Sequence, residues 1–167
     1  MYDEIVNRAL QRVIGDFRTG KIRLDSEGDL RGHLFLRSAE ALIERRHPAP
    51  LPVHAEVRIG RAKVDLAVGP RSETVVEMKF EPFRTDEGVL FLKGPSHSIQ
   101  NDMKKIEAYS RRGHSGHLIV VECEGKHPEG DWYFPKRTPR IGIPTSEWCV
   151  EGKFVWVHHV IPPRRTT

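Results

Sequence analysis

Residues 117–122, HLIVVE, carry four consecutive apolar side chains at 118–121. Successive side chains of a strand point to opposite faces, so this run is satisfied only where both faces are covered, as in the central strand of a layered α/β fold. Helical spacing of Ile99, Met103, Ile106 and Tyr109 predicts a helix over about 97–112 that ends at Gly113 and leads into the run. Upstream, 53–59 (VHAEVRI), 62–68 (AKVDLAV) and 74–80 (TVVEMKF) are short β-branched runs. Gly60-Arg61 and Gly69-Pro70-Arg71-Ser72 separate them with turn compositions, which predicts three consecutive antiparallel strands.

Two helices precede these strands. Val6, Leu10, Val13 and Phe17 place the first over roughly 2–17, stopped at Gly20. Asp25 and Ser26 offer a cap for the second, whose stripe of Leu30, Leu34 and Ala41 with Phe35 and Leu42 runs to about Arg45. Gly125 to Gly152 is rich in Pro and Gly and reads as a loop-rich excursion, and FVWVHHVI (154–161) closes the chain as a last strand. The expected order is α-α-β-β-β-α-β-β: an α/β (α+β) fold with a central mixed sheet of four to five strands flanked by helices. At 167 residues the chain suits a single domain, with an N-terminal helix at 1–20, a core at 25–124 and the excursion with its final strand at 125–167.

Several function classes lose support at this level. No apolar run approaches the ~20 residues of a membrane span, and MYDEIVNRALQRV has an acidic pair where a signal peptide would be uniformly apolar. The reading is a soluble, cytoplasmic protein with no membrane partner. Cys123 and Cys149 form no CxxC, and no histidine stands at zinc-finger spacing, so two reduced, buried thiols are expected. Lys and Arg total 27 against 23 Asp and Glu, a balance of +4 that permits a polyanionic partner without demonstrating one. No P-loop, nucleophile elbow or dinucleotide fingerprint is present, which leaves kinase, hydrolase and dehydrogenase readings without local support.

Chemistry concentrates in VVEMKF. Glu77 and Lys79 stand two apart and share one face of the strand, while Val76, Met78 and Phe80 take the other. The preceding strand carries Asp65 between Val64 and Leu66, and the hairpin brings it alongside Glu77. Two adjacent carboxylates repel unless a cation lies between them, and hard divalent ions such as Mg²⁺ or Mn²⁺ take carboxylate and carbonyl oxygens. A lysine beside such a site can position or help deprotonate a water and offset charge developing on a phosphate. The pattern ExK occurs three times, at Glu77/Lys79, Glu124/Lys126 and Glu151/Lys153, but only the first lies inside an apolar strand after a hairpin with an embedded Asp.

Asp65, eleven residues, then Glu77-Met78-Lys79 on successive strands resembles the PD-(D/E)xK, or restriction-endonuclease-like, nuclease superfamily over about residues 25–124. The resemblance implies a restriction-endonuclease-like core and a metal-dependent DNA endonuclease of repair, recombination or restriction type. It implies that Asp65, Glu77 and the carbonyl of Met78 bind Mg²⁺ or Mn²⁺ and that Lys79 orients the attacking water. Glu27, on the preceding helix with Leu30 and Leu34, matches the glutamate that often completes the site. The family's usual proline before the Asp is Val64 here. The segment from VVEMKF to HLIVVE is similar to archaeal-type Holliday-junction resolvases, from which the N-terminal helix and the C-terminal excursion depart. Family members of these kinds commonly act as dimers, so a homodimer is among the assemblies implied.

Other readings stand beside these. Asp65, Glu77 and Lys79 also suit a cross-strand ion-pair ladder on a solvated sheet face, and Glu27 suits a first-turn glutamate favoured by the helix dipole. Asp102, Lys105 and Tyr109 lie near one face of their helix, which the sequence favours as solvated. His114 and His117 read as a turn and a strand-edge histidine rather than metal ligands. Lys104, Lys105, Arg111 and Arg112, with Lys136, Arg137 and Arg140 in WYFPKRTPR, are candidate nucleic-acid contacts. Trp132 and Phe134 there suit anchors of the excursion on the core. The alternative to an enzyme is a catalytically inactive member of the same fold that binds nucleic acid or serves assembly.

Overall fold

The computed structural model describes residues 1–24, 26–81, 95–123, 146–150 and 154–164. Helices α1 (Tyr2–Arg18) and α2 (Glu27–Glu44) come first, then strands β1 (Val53–Ile59), β2 (Ala62–Val68) and β3 (Thr74–Glu81). Helix α3 (Pro95–Ser110) and strands β4 (Ser115–Cys123), β5 (Ser146–Val150) and β6 (Phe154–Ile161) follow. All six strands join one sheet in the order β1-β2-β3-β4-β6-β5. Only β3 and β4 run parallel, and α3 is the crossover that joins them. The mixed α+β architecture is as the sequence predicts; the strand count is not. β5 adds a strand to the four or five expected, and it lies inside the stretch read as a loop, where Pro and Gly around it masked five residues of edge strand. Lys136, Arg137, Arg140, Trp132 and Phe134 lie outside the described residues, as do the thiols of Cys123 and Cys149.

HLIVVE takes the position its composition demands. β4 lies between β3 and β6, and Leu118, Ile119 and Val120 are fully buried. On one face, Leu66, Val76, Met78, Ile119, Val121 and Trp156 pack with the apolar stripes of α1 and α2 into the main core. On the other, Val64, Ala67 and Val75 pack against Tyr109 of α3. Ser26 caps α2 as expected, its Oγ accepting from the Asp29 N–H at 3.1 Å. The cap fixes where α2 starts, and so places Glu27 at the end of the sheet.

Helix α3 sits close on β4 because Gly116 has no side chain. A Cβ there would stand 2.9 Å from the Ile106 Cβ and 3.2 Å from the Ile106 carbonyl oxygen. Gly116→Ala is therefore expected to lift α3 and lower stability by about 1–3 kcal/mol, the usual cost of overpacking. Urea unfolding checks this, and an unchanged midpoint would show that α3 is not held at this distance.

The start of α1 is tied to the central strand β4 by a partly buried polar chain. Asp3 Oδ1 lies 3.0 Å from His117 Nε2 and accepts from Thr74 Oγ1 at 2.9 Å. His117 Nδ1 lies 2.9 Å from His158 Nε2. Because a carboxylate only accepts, His117 Nε2 carries its hydrogen toward Asp3. His117 is thus a fully buried member of the core, not the strand-edge residue its sequence position suggested. Burial, with the neighbouring His117 and His159, lowers the His158 pKa to about 3. Burial works to raise Asp3, but hydrogen bonds from His117, Ser115 and Thr74 outweigh it and hold its carboxyl well below the usual range.

Candidate active site

The β2–β3 ladder pairs Val68 with Thr74, Ala67 with Val75 and Leu66 with Val76. The ladder ends there, one step short of Asp65 and Glu77. There a side chain takes over the contact between the strands: the Met78 N–H donates to Asp65 Oδ2 at 2.8 Å. On β1, opposite Asp65, Glu56 adopts a left-handed backbone with φ 53, a costly conformation for a residue with a Cβ. Arg31 of α2 reaches both carboxylates, with Nη1 3.3 Å from Glu56 Oε1 and 3.6 Å from Asp65 Oδ1.

Glu77 points to the face that α3 covers and is 2% exposed. Lys105 of α3 donates to its Oε2 at 2.8 Å, while Oε1 is buried with no hydrogen-bond partner. Lys105 Nζ also lies 3.3 Å from Asp102 Oδ1 and donates to the Lys63 carbonyl at 3.3 Å. Lys79 sits between two other carboxylates, with Nζ 3.3 Å from Asp102 Oδ2 and 3.4 Å from Glu27 Oε2. The four carboxylates Glu27, Asp65, Glu77 and Asp102 therefore meet three cations, Arg31, Lys79 and Lys105.

Burial and this surplus of negative charge set the electrostatics. Burial pushes the Glu77 carboxyl up to about 7 against the Lys105 hydrogen bond, and the charges of Asp65 and Asp102 add to the rise. Burial works to lower Lys79, but Asp102 and Glu27 outweigh it and raise its pKa, so the ammonium stays charged. Desolvation likewise opposes Lys105, and Glu77 and Asp102 raise it. Buried carboxylates perturbed in this way occur both at functional sites and in structural ion-pair networks.

Glu27, Asp65, Glu77 and Lys79 thus come together in one place. Glu77 and Asp102 are both buried, so the ladder is not on a solvated face. Met78 contributes its backbone, its side chain being fully buried in the core. As they stand, no group of three or more His, Cys, Asp or Glu among the described residues is arranged to hold a metal ion, because lysines separate the carboxylates.

Asp102, Lys105 and Tyr109 belong to this site rather than to a solvated helix face. Lys105, also expected as a nucleic-acid contact, pairs here with Glu77 and Asp102. The sequence carries the signal, since 102, 105 and 109 fall in the same helical stripe as the apolar Ile106, and charge within an apolar stripe is charge turned inward. Arg31 was missed and has no comparable mark, its neighbours on α2 being mixed. Of the other candidate nucleic-acid contacts, Lys104, Arg111 and Arg112 are exposed. Arg111 lies 3.8 Å from Glu107, and Arg112 rests beside the β1–β2 turn, 3.4 Å from where a Cβ of Gly60 would stand. No family model, curated protein or solved structure matches the chain. Among the described residues no helix is long and apolar enough to cross a membrane.

Proposed function

We propose that this protein is a metal-dependent deoxyribonuclease of the PD-(D/E)xK type. The observation that carries the reading is Glu77, a carboxylate buried beside Asp65 with one oxygen unpartnered and a charged lysine two residues along the strand. Hard oxygen donors and a deficit of positive charge suit Mg²⁺ or Mn²⁺, with Asp65, Glu77 and the Met78 carbonyl as the holding groups and Glu27 at the rim. When bound, such an ion supplies a Lewis acid for the phosphate and a more acidic water.

The protein groups have separable tasks. Asp65 accepts from the Met78 N–H, which fixes its carboxylate against β3 and leaves Oδ1 toward Arg31. Lys79, held by Asp102 and Glu27, orients the attacking water and offsets charge on the phosphate without giving up its own proton. Exposed Lys104, Arg111 and Arg112 supply phosphate contacts that position DNA without reading its sequence.

The test is a panel of labelled single-stranded, duplex, flap and four-way-junction DNAs with Mg²⁺, Mn²⁺ or EDTA, wild type beside Asp65→Ala. The expected result is metal-dependent cutting that falls by roughly 10³-fold in the variant, as several kcal/mol of transition-state stabilisation requires. A second reading has one observation in its favour: Lys79, Lys105 and Arg31 already pair the carboxylates without metal. That is the arrangement of a catalytically inactive module for nucleic-acid binding or assembly. DNA binding by both proteins with no cutting under any metal would decide for it.

A further inference from the structure

We infer that Lys105 is the site's resident cation, seated on Glu77 in the metal-free protein, displaced when a divalent ion enters, and then retained on Asp102. This regulation of metal entry rests on the nuclease reading. Lys105 Nζ is 2.8 Å from Glu77 Oε2 and 3.3 Å from Asp102 Oδ1, so it bridges the carboxylate that would hold the ion and one that would not. The Glu77 side chain is 3% exposed and cannot find a replacement partner in solvent. The Lys105 side chain is 32% exposed and has room to swing.

Lys79 is placed differently. Its ion pairs run to Glu27 and Asp102, and Asp102 pairs with each lysine through a different oxygen, at 3.3 Å in both cases. Asp102 therefore works as a holder for both ammonium groups, and a lysine leaving Glu77 already has its next partner. A buried carboxylate left with no cation is strongly disfavoured, which is why a site that must stand empty between metal ions needs an internal substitute. The substitute has a consequence: each divalent ion competes with a tethered ammonium, so the site takes metal more weakly than its donors alone would allow.

The experiment is calorimetric titration of Mn²⁺ into the wild type, Lys105→Met and Lys105→Gln, with thermal melting of each protein in EDTA and in Mn²⁺. Lys63→Met is the charge control, because its ammonium pairs with Glu56 at 2.9 Å instead of Glu77. Lys105→Met is expected to bind Mn²⁺ about tenfold tighter or more, the worth of a lost charge-assisted hydrogen bond. It should also melt lower in EDTA and gain more from Mn²⁺ than the wild type. Lys105→Gln keeps a donor for Glu77 without the charge, so it serves should Lys105→Met fail to fold, and it is expected to tighten Mn²⁺ in the same direction. Equal affinities in the wild type and both Lys105 variants, or an equal gain in Lys63→Met, would overturn the displacement while leaving metal binding intact. No Mn²⁺ heat in any folded protein would overturn the nuclease reading and this inference with it.

Discussion

Glu77→Gln is expected to make the metal-free protein more stable and, under the proposed function, to remove its metal-dependent cleavage. The amide keeps an oxygen for Lys105 and the shape of the side chain, but it carries no charge to bury. With its pKa at about 7 instead of 4.5, the wild-type carboxylate costs at most about 3 kcal/mol when ionised. For a chain of this size that corresponds to a rise in melting temperature of roughly 4–10 °C in EDTA at pH 8. Cleavage should fall by roughly 10³-fold, as for Asp65→Ala. Opposite movement of stability and activity is the mark of a residue kept for chemistry at the expense of the fold. If Glu77→Gln melts lower than the wild type, the carboxylate is a structural member of the ion-pair network, and the inactive-module reading gains.

Acid should unfold this protein in a way that depends on Glu77. His158 has a folded pKa of about 3 against 6.5 when unfolded, so between those values the unfolded chain holds more protons and stability falls as pH drops. His158 alone accounts for a loss of about 4 kcal/mol across that window. His159, lowered by burial, acts in the same direction, and Asp3, held below its usual range, adds its loss once pH falls below about 4. Glu77 has the opposite sign. Between about 7 and 4.5 the folded state holds its proton and the unfolded state does not, so stability rises as pH drops through that range. The wild type should therefore lose stability gently down to about 4.5 and steeply below, whereas Glu77→Gln should begin its steep loss near 6.5. His158→Gln should flatten the acid limb in either background. Urea midpoints at pH steps from about 8 to about 3 measure all of this, and parallel curves for the wild type and Glu77→Gln would refute the compensation.

The parts of this molecule that were legible in the sequence are those where local pattern and tertiary context agree. HLIVVE could only be central, the Gly60 turn could only close a hairpin, and the cap lay in the Asp25-Ser26 pair, where Ser26 takes it. Asp65 beside Glu77 followed from hairpin arithmetic alone. Legibility failed where burial is decided by a distant partner. His117 reads as polar until Asp3 and His158, each far away in the chain, line up on either side of its ring. Lys105 reads as a surface cation because a lysine's placement on a helix says nothing of a carboxylate arriving from a strand. β5 is short, at the sheet edge and surrounded by turn-forming residues, so its pairing with β6 outweighs a weak local preference.

The attachment of α1 bears on how the chain folds in time. Its first turn is fastened to His117, 114 positions later, and Phe17 at its other end meets Trp156 at 5.9 Å between ring centres. During synthesis α1 therefore emerges long before the strands that cover it. Its available early partner is α2, to which ion pairs between Arg12 and Glu44 and between Glu4 and Arg45 already bind it. The two helices can form a hairpin first and dock as a unit once β4 and β6 exist, so the rate of folding is set by closure of that long loop. A nascent chain halted before β6 would carry a helical hairpin with Ile5, Leu10 and Val13 still seeking a sheet, a natural target for the chaperones that guard emerging polypeptides.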